Sequence, residues 1–437
     1  MERQPFCQTA VSRRRFLGSA ISAGAAILGS ASILSLGACR SQGGSASNAT
    51  AASAPASKAA VVPTLGEVTL DAASILRVSK DQVVQATDFK EAKTNQYLIE
   101  EERFDLPLGS QAYQIDSNRA IALVPRSEGD TLVDLNLLDL RNGKMSLLAD
   151  TAAGTSQGHP GALVYDARAS ESVLAWTELD IADLSWQVYA APLAASATGQ
   201  AQLLDMGTSD YETPQLAVVQ DKVYWTVMPN PSGAAQYQDS YLKTAFLGRG
   251  EPWTVLTSSG RLSCDVIASD GVVCVAPRVD DKNIYYRLFA LSASDEAQLA
   301  SLILPQSLRV SQAVWLPQGF CFSIEGNNPN VGGLSSFGTY WALPDGKWLC
   351  LGRMPSLTPV QLGNLFCARS TTSIVGLDVA NGCFFAIPTL ADSADYGDIL
   401  MGWGVQDKLI VYGTVQNSND PAKSKVIARV FSLKNGI

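Results

Sequence analysis

His159 is the only histidine in the chain, which rules out multi-histidine metal sites and paired-imidazole chemistry at once. A Ser-His-Asp arrangement would have to take His159 as its base. His159-Pro160-Gly161 sits where a loop leads into a strand, a place from which a lone histidine either acts as a base or caps a turn. No nucleophile elbow, phosphate-cradling glycine loop or haem-attachment motif occurs, so no catalytic residue is assigned. No CxxC spacing exists and no metal ligand set or cofactor motif is evident. Val279-Asp280-Asp281-Lys282-Asn283 offers oxygen ligands of the kind Ca²⁺ takes, or simply a solvated turn.

Eight cysteines divide by position. Cys7 and Cys39 lie in the N-terminal segment, leaving Cys264, Cys274, Cys321, Cys350, Cys367 and Cys383. Six cysteines allow three disulfides in an oxidising compartment. Cys264 and Cys274 flank the turn Ser269-Asp270-Gly271 and are placed to face each other across a hairpin. Most of the six, however, stand inside apolar runs such as Gly319-Phe320-Cys321-Phe322, where a free cysteine behaves as a small hydrophobe.

The N-terminus carries the most specific signal. Ser12-Arg13-Arg14-Arg15-Phe16-Leu17 resembles the twin-arginine export consensus, and Ser19 to Gly37 contains only Ala, Gly, Ser, Ile and Leu. That run suits the apolar core of a signal peptide and is too diluted by small polar residues for a spanning helix. It ends in Leu36-Gly37-Ala38-Cys39, which resembles a bacterial lipobox. The resemblance implies cleavage before Cys39 and a lipid on its sulfur. Acyl chains contribute about 0.8 kcal/mol per buried methylene, enough for stable membrane anchoring when the cysteine is fully acylated. Residues 40–60 are almost all Gly, Ser and Ala, a flexible tether. The expected organisation is a signal peptide over 1–38, a tether over 39–62 and a folded domain over 63–437, lipid-anchored outside the cytoplasm. The twin-arginine translocase, which carries folded passengers, is the partner during export; it permits a cofactor without requiring one.

Removing residues 1–38 leaves 28 basic against 40 acidic residues, a net charge near −12. So acidic a surface argues against nucleic acid as a partner. With 46% apolar and 17% charged residues, the chain has material for a substantial core.

One unit recurs along that domain: a short strand, a tight polar turn, a stronger apolar strand, a variable loop, then two more strands. The stronger strands centre on Ala122, Ala175, Trp225, Cys274, Phe322, Cys367 and Val411, at gaps of 53, 50, 49, 48, 45 and 44 residues. Each follows a turn rich in Asp, Asn, Ser or Gly, residues that tolerate hairpin backbone conformations. Seven units of about this length resemble a β-propeller of the TolB-like and WD40-like kind, an all-β fold of seven four-stranded blades. The last unit stops after three strands at Leu433, so ring closure requires a fourth from the N-terminal side; Asn95 to Leu106 fits.

The resemblance places ligands on the face formed by loops leading into first strands and loops joining second to third strands. Residues there include Gln157, His159, Asp210, Tyr211, Glu212, Arg261, Arg309, Thr358, Tyr396 and Asp398. His159, Tyr211, Glu212, Arg261, Arg309 and Asp398 are the candidate ligand contacts. Long polar loops at 230–240 and 325–337 mark the same face. The expected function is a membrane-tethered binding or scaffolding lipoprotein for an envelope protein, an envelope polymer or a polar ligand. The alternative is an extracytoplasmic propeller enzyme, a hydrolase, lyase or cofactor-dependent oxidoreductase, with carboxylates converging in the channel from separate blades.

Overall fold

The apolar runs read from the sequence become the second strands of successive sheets in a computed structural model of the chain, an all-β propeller. The structure describes residues 67–69, 75–78 and 89–434, except 128–129, 151, 155–160, 195–196, 280–285, 307, 328–333, 353–358 and 371–372. The chain divides into two units, 1–63 and 64–437. The first, including Ser12, Arg13, Arg14, Phe16, Leu17 and Cys39, lies outside the described residues.

The strands of the second unit fall into seven sheets, taken as blades 1 to 7 in chain order. They span 111–149, 162–207, 216–258, 267–303, 312–351, 360–386 and 393–433. Every apolar run centred above is a second strand, from Arg119–Pro125 in blade 1 to Leu409–Val415 in blade 7. These strands are buried on both faces, so they read as continuous apolar runs rather than as alternation. Val173–Asp180 is buried along its whole length. Trp176, Trp225, Phe322 and Tyr340 are among the largest fully buried side chains, and they fill the space between neighbouring blades. The turn between the first two strands of blade 4 shows why its residues are what they are. Asp270 and Gly271 hold φ of 50° and 74°, the left-handed pair that a two-residue hairpin requires and that Asp-Gly adopts readily.

Ring closure follows the expectation. Leu98–Leu106 pairs antiparallel with Lys425–Leu433, from Leu98 opposite Leu433 to Leu106 opposite Val426. Blade 7 is therefore built from both ends of the unit. The preceding residues add something the sequence pattern does not reveal. Glu67–Thr69, Ile75–Val78 and Lys90–Glu91 pair parallel with the outermost strands of blades 4, 5 and 6 in turn. The chain thus runs along the rim, covering three otherwise open sheet edges before it closes the ring.

Blade 7 departs from the repeat. Its first strand is Ser393–Leu400, and eight residues separate it from the second. That connection crosses the channel. The Trp403 indole N–H donates to the carbonyl of Ala268 in blade 4 at 2.7 Å. The Arg168 guanidinium of blade 2 lies 5.4 Å from the Trp403 ring centroid, and Gly404–Val405 pairs parallel with Val360–Gln361 of blade 6. A Cβ at position 404 would overlap the Ser269 hydroxyl, and the backbone there has φ of 71°, so glycine is required twice over. Trp403 is a bolt across the end of the channel where first strands turn into second strands. Trp403→Ala is expected to lower stability by about 2–3 kcal/mol, below the loss for a fully buried indole because Trp403 is half-buried. Urea denaturation checks this, and a loss under about 0.5 kcal/mol would mean the bolt carries little of the closure.

The disulfide expected between Cys264 and Cys274 is not formed. Both are free and buried, as are Cys321, Cys350 and Cys367, with Cys383 half-buried. The residue opposite Cys274 in its hairpin is Ile267, three residues past Cys264. Burial among apolar side chains pushes both thiols up, away from the reactive thiolate.

Candidate functional site

With one end of the channel bolted, the other end is the face of long loops, and there four of the six candidate ligand residues gather on blades 3 to 5. Asp210, Tyr211 and Glu212 lead into blade 3. Tyr211 forms an antiparallel bridge with Pro229, and the Asn230 N–H donates to the Asp210 carbonyl at 2.8 Å. These bonds fold the 230–240 loop back over the strand that precedes it, and the Tyr211 hydroxyl donates to the Gln238 side chain.

Arg261 leads into blade 4 and reaches back to blade 3. Its guanidinium donates to Glu212 Oε1 at 2.9 Å and to the Pro229 carbonyl. Arg261 is 29% exposed and Glu212 15%. Burial lowers the arginine's pKa, against the pull of nearby Tyr286 and Asp265. The pair staples the two blades together at their loop ends. Next to it, Ser263 fixes the start of blade 5: its hydroxyl donates to the Val310 carbonyl at 3.0 Å and lies 2.9 Å from the Val310 N–H. Arg309 is thereby held over Tyr286, its guanidinium carbon 5.7 Å from the ring centroid.

Between these side chains lies a cavity of about 300 Å³. Its wall is formed by Arg261, Arg278 and Arg309, by Tyr237 and Tyr286, and by Gln236, Asp239, Ser259 and Gly260. Arg278 is bridged to Tyr286 across the second-to-third-strand connection of blade 4, and its backbone N–H donates to the Ser258 hydroxyl at 2.9 Å. Tyr286 is only 3% exposed; its backbone is bridged to Arg278 and its ring lies near the Arg309 guanidinium. Tyr237, by contrast, is 89% exposed at the mouth. Asp239 is the one carboxylate of this wall among the described residues. A half-enclosed space with several guanidinium donors, two phenol rings and a few hydrogen-bonding side chains can hold a polar, anionic molecule by charge-assisted hydrogen bonds and ring contact.

Arg278 and both tyrosines of the wall were missed by sequence reasoning. Tyr286 stands one residue ahead of the third strand of blade 4, Arg287–Ser292, as a bridge partner of Arg278. The Pro-Arg pair at 277–278, ending an apolar run, was the available signal.

Asp398 does not belong to this site. Blade 7 starts at Ser393, so Asp398 lies well inside the first strand, paired with Gly413 in register. Its carboxylate accepts from Arg429 Nη2 at 2.6 Å, and the two side chains are 1% and 4% exposed. Burial pushes the Asp398 carboxyl up, against the opposing pull of Arg429. His159, Gln157, Thr358 and the acidic residues Asp280 and Asp281 lie outside the described residues, and the side chain of Tyr396 does too. What the structure does show ahead of His159 is a buried clamp. Glu178, wholly buried, accepts from the backbone N–H groups of Ala153 and Gly154 at 2.6 and 2.7 Å and from the Trp176 indole at 2.7 Å.

No protein-family model and no curated protein matches the chain. Among solved structures it is similar to a prolyl endopeptidase, at 12% identity and a TM-score of 0.47 over 74% of this chain and 50% of that one. It is similar also to a puromycin-hydrolyzing peptidase of Mycobacterium tuberculosis, at 12% identity and a TM-score of 0.42, covering 70% of this chain and 50% of that one. An oligogalacturonate lyase in complex with manganese aligns at 12% identity and a TM-score of 0.42, over 77% of this chain and 98% of that one. The chain thus spans about half the length of the two peptidases, and these likenesses speak to architecture alone.

Proposed function

We propose that the protein is a lipid-anchored extracytoplasmic binding module, exported by the twin-arginine route, tethered through Cys39, and holding a polar ligand or an envelope partner on the loop face of blades 3 to 5. The observation that carries the binding reading is the arginine- and tyrosine-lined cavity. It offers several donors and ring faces, while the one carboxylate on its described wall, Asp239, has no second acid or imidazole beside it among the lining residues to share proton transfer. The export and anchoring parts rest on the motif around Arg13 and Arg14 and on Leu36 to Cys39.

The test uses the full chain purified from its own envelope in detergent, screened for thermal stabilisation by polar metabolites and soluble envelope polymers. A ligand present at a hundred times its dissociation constant adds about 2.7 kcal/mol of stability, well within detection. A ligand that stabilises the wild type, fails with Arg309→Ala, and is recovered chemically unchanged supports the module. Recovery of a cleaved or oxidised ligand replaces it with the enzyme reading. Arg309 suits the test because it is exposed and has no carboxylate partner among the described residues, so its loss leaves the fold intact.

A further inference from the structure

We infer that the cavity on blades 3 to 5 takes a sugar acid, a compact polyol ring bearing one carboxylate. The inference rests on reading that cavity as the ligand site. Three features of it select the class.

The first is charge. Arg261, Arg278 and Arg309 face it with Asp239, and Glu212 stands directly behind Arg261. The described wall sets three guanidinium groups against one carboxylate, while Glu212 and nearby Asp265 answer Arg261, in a chain whose formal net charge is −9. At physiological ionic strength the screening length is about 8 Å, so a bound group feels these neighbours rather than the acidic body. A wall weighted toward guanidinium groups is complemented by an anionic group on the ligand.

The second is how the guanidinium groups are committed. Arg261 spends its donors on Glu212 and on the Pro229 carbonyl, so it shapes the wall. The Arg309 guanidinium carbon lies 5.7 Å from the Tyr286 ring centroid, and Arg309 pairs with no carboxylate among the described residues. Its fork of donors matches a carboxylate with two parallel N–H···O bonds.

The third is the mouth. Tyr237 is 89% exposed, an unusual position for a phenol ring with no structural burden, and a rigid amphipathic face there suits stacking against the C–H side of a sugar ring. Gln236, Ser259 and Asp239 supply partners for hydroxyl groups around it. Among the described residues no large apolar side chain other than the tyrosines lines the space, which disfavours an apolar peptide side chain.

Titration calorimetry on the full chain in detergent at 0.15 M salt tests this with glucuronate, mannuronate and N-acetylneuraminate as probes, and with glucose and inorganic phosphate as controls. At least one sugar acid is expected to bind, with glucose at least tenfold weaker and phosphate no tighter than the sugar acid. Arg309→Ala should weaken that binding tenfold or more, and Tyr237→Ala severalfold. Tyr237→Phe should retain it, because the ring and not the hydroxyl does the stacking. The inference is overturned if glucose binds equally, if phosphate binds more tightly, if Arg309→Ala changes nothing, or if none of the three sugar acids binds. Should none bind while another screened ligand depends on Arg309, the binding-module reading stands and only the ligand class fails. Should no ligand depend on Arg309, both fail.

Discussion

Asp398→Leu is expected to destabilise the protein by about 3–5 kcal/mol, because it strands the Arg429 guanidinium 4% exposed inside blade 7 with the Pro388 carbonyl as its one remaining hydrogen-bond acceptor among the described residues. Arginine cannot shed its charge to escape, as a buried lysine would. Arg429→Leu alone should cost a similar amount by leaving the carboxylate unpaired, although a lone Asp398 can take up a proton. The double variant Asp398→Leu with Arg429→Leu removes the pair and is expected to cost far less than the two single variants summed, since buried pairs give little net stability over apolar replacements; the residual loss comes from buried Arg369, which also feels the Asp398 charge. Urea denaturation of the four proteins gives the coupling directly, and single variants within about 0.5 kcal/mol of wild type would refute a closed buried pair.

The same pair has a pH signature, and its sign follows from the direction of the shift. Burial raises the native pKa of Asp398 above its unfolded value. The native state therefore binds this proton more tightly, and the group's contribution to stability improves as pH falls from that raised value toward the usual carboxylate range near 4. Asp398→Leu with Arg429→Leu should remove that portion of the pH dependence, in a direction opposite to the general acid destabilisation of an acidic protein.

Glu178→Ala is the second large effect expected, about 3–5 kcal/mol. The wild-type carboxylate is wholly buried and accepts three N–H groups at 2.6–2.7 Å. Charge-assisted bonds of this kind contribute about 1.5–3 kcal/mol each, and deleting the acceptor removes these bonds from the two backbone donors and the indole in a buried setting. Glu178→Gln separates charge from shape: its oxygen can still accept, but its NH₂ must face donors, so about 2–4 kcal/mol should still be lost. Denaturation gives the totals, and amide exchange at Ala153 and Gly154 should accelerate locally in both variants. Unchanged exchange would show that the clamp does not hold this loop. Because the clamp sits ahead of blade 2 on the loop-rich face, its loss is also a route by which a residue outside the cavity would disturb that face.

Much of the ring was legible in the sequence for a physical reason. Each second strand is sandwiched between neighbouring blades, so its residues are apolar in an unbroken run, and the turn before it needs left-handed backbone that Asp, Asn and Gly supply, as Asp270-Gly271 does. Those are short-range requirements, and they repeat with the blade. The missing fourth strand after Leu433 follows from counting, and Leu98–Leu106 supplies it. The rim strands at 67–69, 75–78 and 90–91 were invisible because an added edge strand needs only free backbone donors and acceptors, and two to four residues carry no pattern. The extra length before Leu409 misplaced the first strand of blade 7 for a related reason. Trp403 answers to Ala268, 135 residues away, and local spacing has no record of that.

The sequence by itself determined the all-β repeat, its period and the mode of closure, which are written in residues that are near neighbours along the chain. Only the tertiary structure decided that Arg261, Arg278 and Arg309 share one cavity while Asp398 is sealed against Arg429. Arginines and acids on separate blades look alike in a sequence. Which of them face a common space, and which are desolvated together, depends on the angle each blade takes in the ring and on where each strand begins.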